Sequence, residues 1–415
     1  MEPTVDGGSL PIQDAGRDSS SDAGTMVSDA GDASSDAGDA SGDAGGGAGP
    51  GCMRWCAANV AERSDGTLWI YGTNVSWSPS VAPVELLQAP GGGPVVAATS
   101  PRSFGVAGVA SGTLCAIESG GTVLCGPEGS GLSQIYATGG IPLAGAVAVS
   151  VDPENGVFCA IDSTSALWCW GDGQYGALGQ GTTNSSTYAL PVVVQVRGAT
   201  QPFTGVSRVA ATRQHVCAVK TDGTVWCWGS NTAGAVGVGS TQTQFLYPTQ
   251  VVALSNVVDV VGEGDNACAL KSDGTVWCWG ENTNGSVGNG TASPMAASPS
   301  QVLTGGDAGA PLSGASAILM FGQGSRMAAC ASRSADHSIW CWGSGFTNVA
   351  AQQSEGGQPI ANASLLGTFA CYLDESGALN LLEGATYGGN FAETNPVACP
   401  ATGPSDAGAD ATGSD

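Results

Sequence analysis

CAVKTDGTVWCWGSN at residues 217–231 returns as CALKSDGTVWCWGEN at 268–282. Each copy carries two cysteines ten positions apart around an Asp-Gly turn and a pair of tryptophans. Aligned on the first cysteine, the chain holds seven copies, anchored at Val60, Cys115, Cys159, Cys217, Cys268, Cys330 and Cys371, on average about 52 residues apart. A period of this size, made of short Val- and Trp-rich runs between Gly-rich turns, indicates a propeller or solenoid of β-units.

Within a copy, CAVK and TVWCWG form a hairpin, being β-branched and aromatic runs split by a Gly-containing turn. Neither run alternates apolar with polar residues, so both faces of these strands are expected to be buried, as in sheets packed face to face. An apolar run precedes each hairpin, and a Gly-, Asn- and Ser-rich loop leads from it to a Pro-marked run such as YPTQVVAL at 247–254. The prediction is therefore all-β: a seven-bladed β-propeller with four-stranded blades over 52–402, flanked by disordered acidic tails.

The turn length fixes how the cysteines face. With a two-residue loop, Cys217 would lie opposite Trp228. With the three-residue loop Thr221-Asp222-Gly223, Lys220 pairs with Thr224 and Cys217 meets Cys227, the glycine taking the left-handed position of a bulge. Directly opposed strand residues lie within disulfide range. Copy six has cysteines eleven apart and a turn, Ser334 to His337, one residue longer, which preserves the same register. Five cross-strand disulfides are predicted: Cys115–Cys125, Cys159–Cys169, Cys217–Cys227, Cys268–Cys278 and Cys330–Cys341. Copy one carries Val60 and Ile70 at these sites and copy seven Cys371 and Leu381. The pairing of Cys52, Cys56, Cys371 and Cys399 stays open.

These copies resemble the regulator of chromosome condensation repeat family, most closely in DGTVWCWGSNTAGAVGVG (222–239), DGTVWCWGENTNGSVGNG (273–290) and SALWCWGDGQYGALGQG (165–181). The resemblance implies a seven-bladed propeller. It also brings guanine-nucleotide exchange on a small GTPase as a third functional reading.

Composition narrows the function. The 415 residues include 66 glycines, 11 Lys plus Arg and 35 Asp plus Glu, for a net charge of −24. Phosphate binding needs clustered basic residues, so nucleic acid is not expected as a partner. No apolar run approaches the ~20 residues of a spanning helix. Residues 1–51, with ten acidic residues and one arginine, cannot offset their ordering entropy by burial and read as a disordered linker, as does the tail 403–415. Fourteen cysteines argue for an oxidising compartment. The chain as written opens on the acidic segment with no signal peptide, so 1–51 is read as a stalk below a leader or lipid anchor, giving an extracellular or cell-envelope protein. The alternative is a cytoplasmic protein with reduced thiols.

No catalytic constellation emerges. His215 and His337 are the two histidines, the second in a turn without a visible partner. GALGQG and GAVGVG recur at one place in the repeat ahead of strands, so they read as tight loops and not as phosphate cradles. Cysteines ten apart lack zinc spacing, and neither metal nor cofactor is expected. The leading expectation is a non-catalytic surface binding module, acting as a monomer on a protein partner through loops on one face, as is similar to propeller-type β-lactamase inhibitory proteins of bacteria. Candidate contact residues lie in the loops between first and second strands: Arg54, Trp55, Arg102, Phe104, Glu154, Asn155, Arg213, His215, Glu263, Asp265 and Arg326. The other reading is an extracellular carbohydrate-binding or carbohydrate-active protein, its tryptophans stacking on sugars.

Overall fold

A computed structural model describes residues 132–354, with breaks at 138–139, 153–155, 184–188, 199–200, 306–308 and 324–325, and residues 115–126 apart from 119. Elsewhere it describes only the backbone pairing of strands between 53 and 127 and between 354 and 381. The acidic segments 1–51 and 403–415, Cys52 and Cys399 lie outside the described residues.

The fold is an all-β propeller. Six four-stranded antiparallel sheets follow one another along the chain, one per sequence copy, and copy seven contributes a three-stranded sheet. In the fourth, the strands are Val206–Ala211, His215–Lys220, Val225–Ser230 and Gln244–Gln250. In the fifth they are Val257–Glu263, Asn266–Lys271, Val276–Glu281 and Met295–Gln301. Each strand pairs with its successor, so every connection inside a sheet is a hairpin.

The central hairpin has one register in all seven sheets. Cys217 faces Cys227 and Cys268 faces Cys278. Val60 faces Ile70, and Cys371 faces Leu381. Disulfides join Cys115 to Cys125, Cys159 to Cys169, Cys217 to Cys227, Cys268 to Cys278 and Cys330 to Cys341, with Cα separations of 4.1–4.2 Å.

The turn between second and third strands also joins neighbouring blades. Gly223 adopts φ +77°, which a residue without Cβ tolerates, and Asp222 Oδ1 accepts from the Thr224 amide at 3.0 Å and its hydroxyl at 2.6 Å. A backbone bond then reaches the fifth sheet: Val257 N–H donates to Gly223 O at 3.0 Å. A Cβ on Gly223 would lie 3.0 Å from Asn256 Cα. The glycine is thus required twice, for its dihedral and for the approach of the next blade. Ser165 and His337 hold the left-handed position in the third and sixth sheets.

The core lies between sheets. One buried cluster spans the third and fourth, through Leu167, Phe203, Val216 and Trp228; another spans the fourth and fifth, through Val219, Val225, Val260 and Trp279. The second tryptophan of each pair is the main spacer. Trp228, Trp279 and Trp342 are fully buried and donate Nε1–H to Ala177 O (2.8 Å), Ala235 O (2.8 Å) and Ser286 O (3.0 Å) of the preceding blade. These acceptors belong to the glycine-rich loops, where a Cβ on Gly237 would lie 2.7 Å from Trp279 Nε1. The GAVGVG pattern is therefore a socket for the next blade's indole. Buried Asn231 closes that loop, its Oδ1 accepting Val236 N–H at 3.0 Å and its Nδ2 donating to Gln242 O at 2.7 Å.

Candidate functional site

The sequence placed the candidate contacts on loops between first and second strands, and the strands prove longer than that reading allowed. Arg54 and Trp55 lie within the strand Met53–Ala57, and Phe104 opens Phe104–Val106. Glu263 ends its strand, while His215 and Arg326 begin theirs. In the fourth and fifth sheets pairing continues to the tip of the hairpin, leaving turns of two or three residues: 212–214 in the fourth and 264–265 in the fifth. Arg102, Glu154 and Asn155 lie outside the described residues.

His215 is corrected most sharply. It is 0% exposed, so it presents nothing to a partner. Its Nδ1 lies 2.8 Å from Thr212 Oγ1, and that hydroxyl also accepts the His215 amide at 3.2 Å. Burial pushes the imidazole down to about 4, with the Gly264 backbone acting in the opposite sense. The folded value is below the unfolded one near 6.5, so folding excludes a proton. Stability is complete above pH 6.5 and falls as pH drops through 6.5 towards 4, by about 3 kcal/mol in all. Chemical denaturation at pH 7 and 4.5 is expected to show most of this loss in the wild type, and a clearly smaller one in His215→Gln. Equal losses in both proteins would refute the assignment.

The structure does bring Arg213, Glu263 and Asp265 together, on adjacent turns of the fourth and fifth sheets. Arg213 is exposed, Asp265 half-buried and Glu263 5% exposed. Burial raises the Asp265 carboxyl and the Arg213 charge opposes it. Glu281, at the end of the fifth sheet's third strand, joins them: burial raises its carboxyl, the Thr283 amide opposes, and the charge of Asp265 adds to the rise. Asn266 locks this corner by donating to Glu281 O. Glu281 was not anticipated, because its place beside Asp265 follows from pairing of strand ends fifteen residues apart.

A second feature lies at the opposite end of the strands, by the turn between second and third strands of the third sheet. A cleft of about 470 Å³ is lined by Ala137, Leu143, Asp162, Trp168, Gln180 and Val192, among others. Trp168 is half-buried and donates Nε1–H to Asp162 Oδ2 at 2.8 Å. No group of three or more His, Cys, Asp or Glu among the described residues is placed to hold a metal. No helix among them is long and apolar enough to cross a membrane.

Comparison with known proteins accounts for the repeat. The regulator of chromosome condensation (RCC1) repeat matches residues 206–235 and 257–286 in one form, and 165–219 and 222–270 in another. Together these matches cover residues 165–286, which are similar to RCC1 repeats. Human E3 ubiquitin-protein ligase HERC2 is 28% identical over 148 residues, 35% of this chain and 3% of that protein. The ultraviolet-B receptor UVR8 of Arabidopsis thaliana is 28% identical over 160 residues, 36% of this chain and 35% of that protein. The chain therefore spans a small part of the first and about a third of the second. Among solved structures, Prp20p from Saccharomyces cerevisiae superposes with a TM-score of 0.53 at 17% identity, over 74% of this chain and 77% of that one. Human WBSCR16 superposes at 0.50 and 16% identity, over 68% and 77%. The Prp20p structure is described with its binding to Gsp1p and histones. These likenesses bear on the RCC1-repeat fold.

Proposed function

We propose that this RCC1-repeat propeller is a non-catalytic binding module that engages a protein partner through its turns between first and second strands. The observation that carries this reading is a contrast inside the repeat. The cysteines, second tryptophans, glycine-rich loops and Asp turns recur because each is used by the scaffold. The first turns differ in every copy: Arg213-Gln214 in the fourth sheet, Gly264-Asp265 in the fifth, Gly324-Ser325 in the sixth. Side chains with no role in blade packing vary there and project at one end of the strands. In this reading Arg213, Asp265 and Glu281 form the polar centre of the contact, with Glu154 and Asn155 between the first two strands of the third sheet and Arg326 at the same turn of the sixth. Seven copies fit a closed seven-bladed ring, and five short-loop disulfides fit an oxidising, extracellular or envelope location.

The test is capture from the native source by the immobilised full chain, alongside Arg213→Glu and Asp265→Lys. A partner held by the wild type is expected to be lost at least ten-fold in both variants, with thermal unfolding unchanged. A partner retained by both places the contact elsewhere. Binding of glycans, abolished by tryptophan substitution, would favour the carbohydrate reading instead.

A further inference from the structure

The cleft beside Trp168 gains meaning from the equivalent positions of the other blades. Three residues after the first cysteine, the fourth, fifth and sixth sheets carry Lys220, Lys271 and Arg333. Lys220 Nζ lies 5.9 Å from the Trp226 ring centre and 5.2 Å from that of Phe203. Arg333 Cζ lies 5.8 Å from the Trp340 ring. Lys271 is held by Asp273 at 3.4 Å. The fourth and sixth blades thus place a cation of their own beside the half-buried tryptophan, where the quadrupole of the ring favours it.

The third sheet inverts this charge. Asp162 stands where these three sheets have Lys or Arg (the second sheet also has an acid there, Glu118, but Leu124 in place of the tryptophan), and Leu143 stands where the fourth sheet has Phe203, both residues being bonded alike to the blade beneath: Leu143 N–H to Ile135 O at 2.9 Å, Phe203 N–H to Val194 O at 2.7 Å. The space filled in the fourth sheet by an aromatic ring and a lysine is an open cleft in the third. We propose that this cleft binds a basic side chain, arginine or lysine, of a partner polypeptide, which supplies the cation that the third sheet lacks.

The chemistry of the walls fits such a side chain. Ala137, Ile141, Leu143 and Val192 offer apolar surface to an aliphatic stem, which long cationic side chains cover readily. Asp162 Oδ1 already accepts from the Thr164 amide (2.8 Å), the Thr164 hydroxyl (2.6 Å) and the Ala166 amide (3.0 Å). Oδ2 accepts from Trp168 Nε1, and a carboxylate oxygen has room for a further donor. Burial alone would raise this carboxyl, but the bonds from Thr164, Trp168 and Ala166 outweigh it and hold it below the usual range. Gln180 donates to Val193 O at 3.3 Å and keeps its amide oxygen as an acceptor. The net charge of −24 draws a cationic segment towards the chain. The cleft lies at the opposite end of the strands from Arg213, so charge reversal there leaves it unchanged and the two proposals fail separately.

The experiment uses the full chain with 15N-labelled tryptophan indoles, Trp168→Phe identifying the resonance. Acetyl-arginine N-methylamide is titrated at fixed ionic strength against acetyl-citrulline N-methylamide, which has nearly the same shape without charge. The Trp168 indole signal is expected to move saturably with arginine and at least five-fold less with citrulline. Asp162→Lys reproduces the fourth sheet's arrangement, and it is expected to keep the circular dichroism and unfolding temperature while losing the shift. If that variant does not fold, Asp162→Asn, which retains an acceptor for Thr164 and Ala166, is expected to lose most of it. Equal shifts with citrulline, parallel shifts of all tryptophan signals, or no shift at tens of millimolar arginine would each overturn the proposal.

Discussion

Reduction of the five described disulfides is expected to unfold the propeller at 25 °C. Each bond closes a loop of ten or eleven residues, for which chain-entropy reasoning gives about 2 to 3 kcal/mol. Five such bonds give about 10 to 15 kcal/mol, comparable to the whole stability of an ordinary domain, about 5 to 15 kcal/mol. The cysteine pairs are at most 7% exposed, so reduction should be slow until blades open and then cooperative. Incubation with a phosphine reductant, followed by circular dichroism and tryptophan fluorescence, checks this. A chain that stays folded with all thiols alkylated after reduction would show that blade packing suffices, and would remove the argument from disulfides to an oxidising location. The first sheet has the same register with Val60 facing Ile70 and no cysteine at either site, so the prediction concerns the sum and not any single bridge.

Trp279→Ala is expected to cost about 3 to 5 kcal/mol, the range for truncating a fully buried large aromatic side chain. The indole is 0% exposed and fills the seam between fourth and fifth sheets. Its removal also takes the donor from Ala235 O, a buried carbonyl whose loss of a partner is itself unfavourable. Trp277 is the control two residues away. It is half-buried, its Nε1–H meets Thr275 Oγ1 at 3.3 Å, and truncation there should cost about 1 to 2 kcal/mol from partial burial. Denaturant midpoints of both variants test the contrast, and hydrogen exchange should show protection falling first along Val225–Ser230 and Val276–Glu281. A larger loss at Trp277 than at Trp279 would contradict the socket arrangement.

The tryptophan pair illustrates how far the sequence reaches. Regular positions inside strands identify both indoles as packing residues, yet full burial falls only on the second of the pair in the fourth, fifth and sixth sheets, with Trp170 of the third at 7% exposure. The difference lies in the glycine-rich loop of the preceding blade, which wraps Trp228, Trp279 and Trp342 and leaves Trp168, Trp226, Trp277 and Trp340 at the rim. His215 was misplaced for a related reason. Its neighbours Arg213 and Gln214 have turn-like polarity, but strand pairing extends to His215 and the fifth sheet covers it. The carboxylate at Asp162, by contrast, was legible: alignment on the repeat anchors shows Asp162 beside a tryptophan-bearing strand, where the four other tryptophan-bearing copies have Arg63, Lys220, Lys271 and Arg333. Its consequence was not, because the sequence does not say which wall the cation would cover.

The sequence by itself determined the repeat, the strand order within each blade and the facing of the cysteines. These depend on local physics: alternate side chains of a strand point to opposite faces, and a three-residue Thr-Asp-Gly turn admits one register. The tertiary structure decided which side chains are sealed and which are available. That outcome depends on the neighbouring blade, whose loops meet each indole from 44 to 56 residues away along the chain. Exposure is a property of the gap between two sheets, and no single copy of the repeat contains both of its walls.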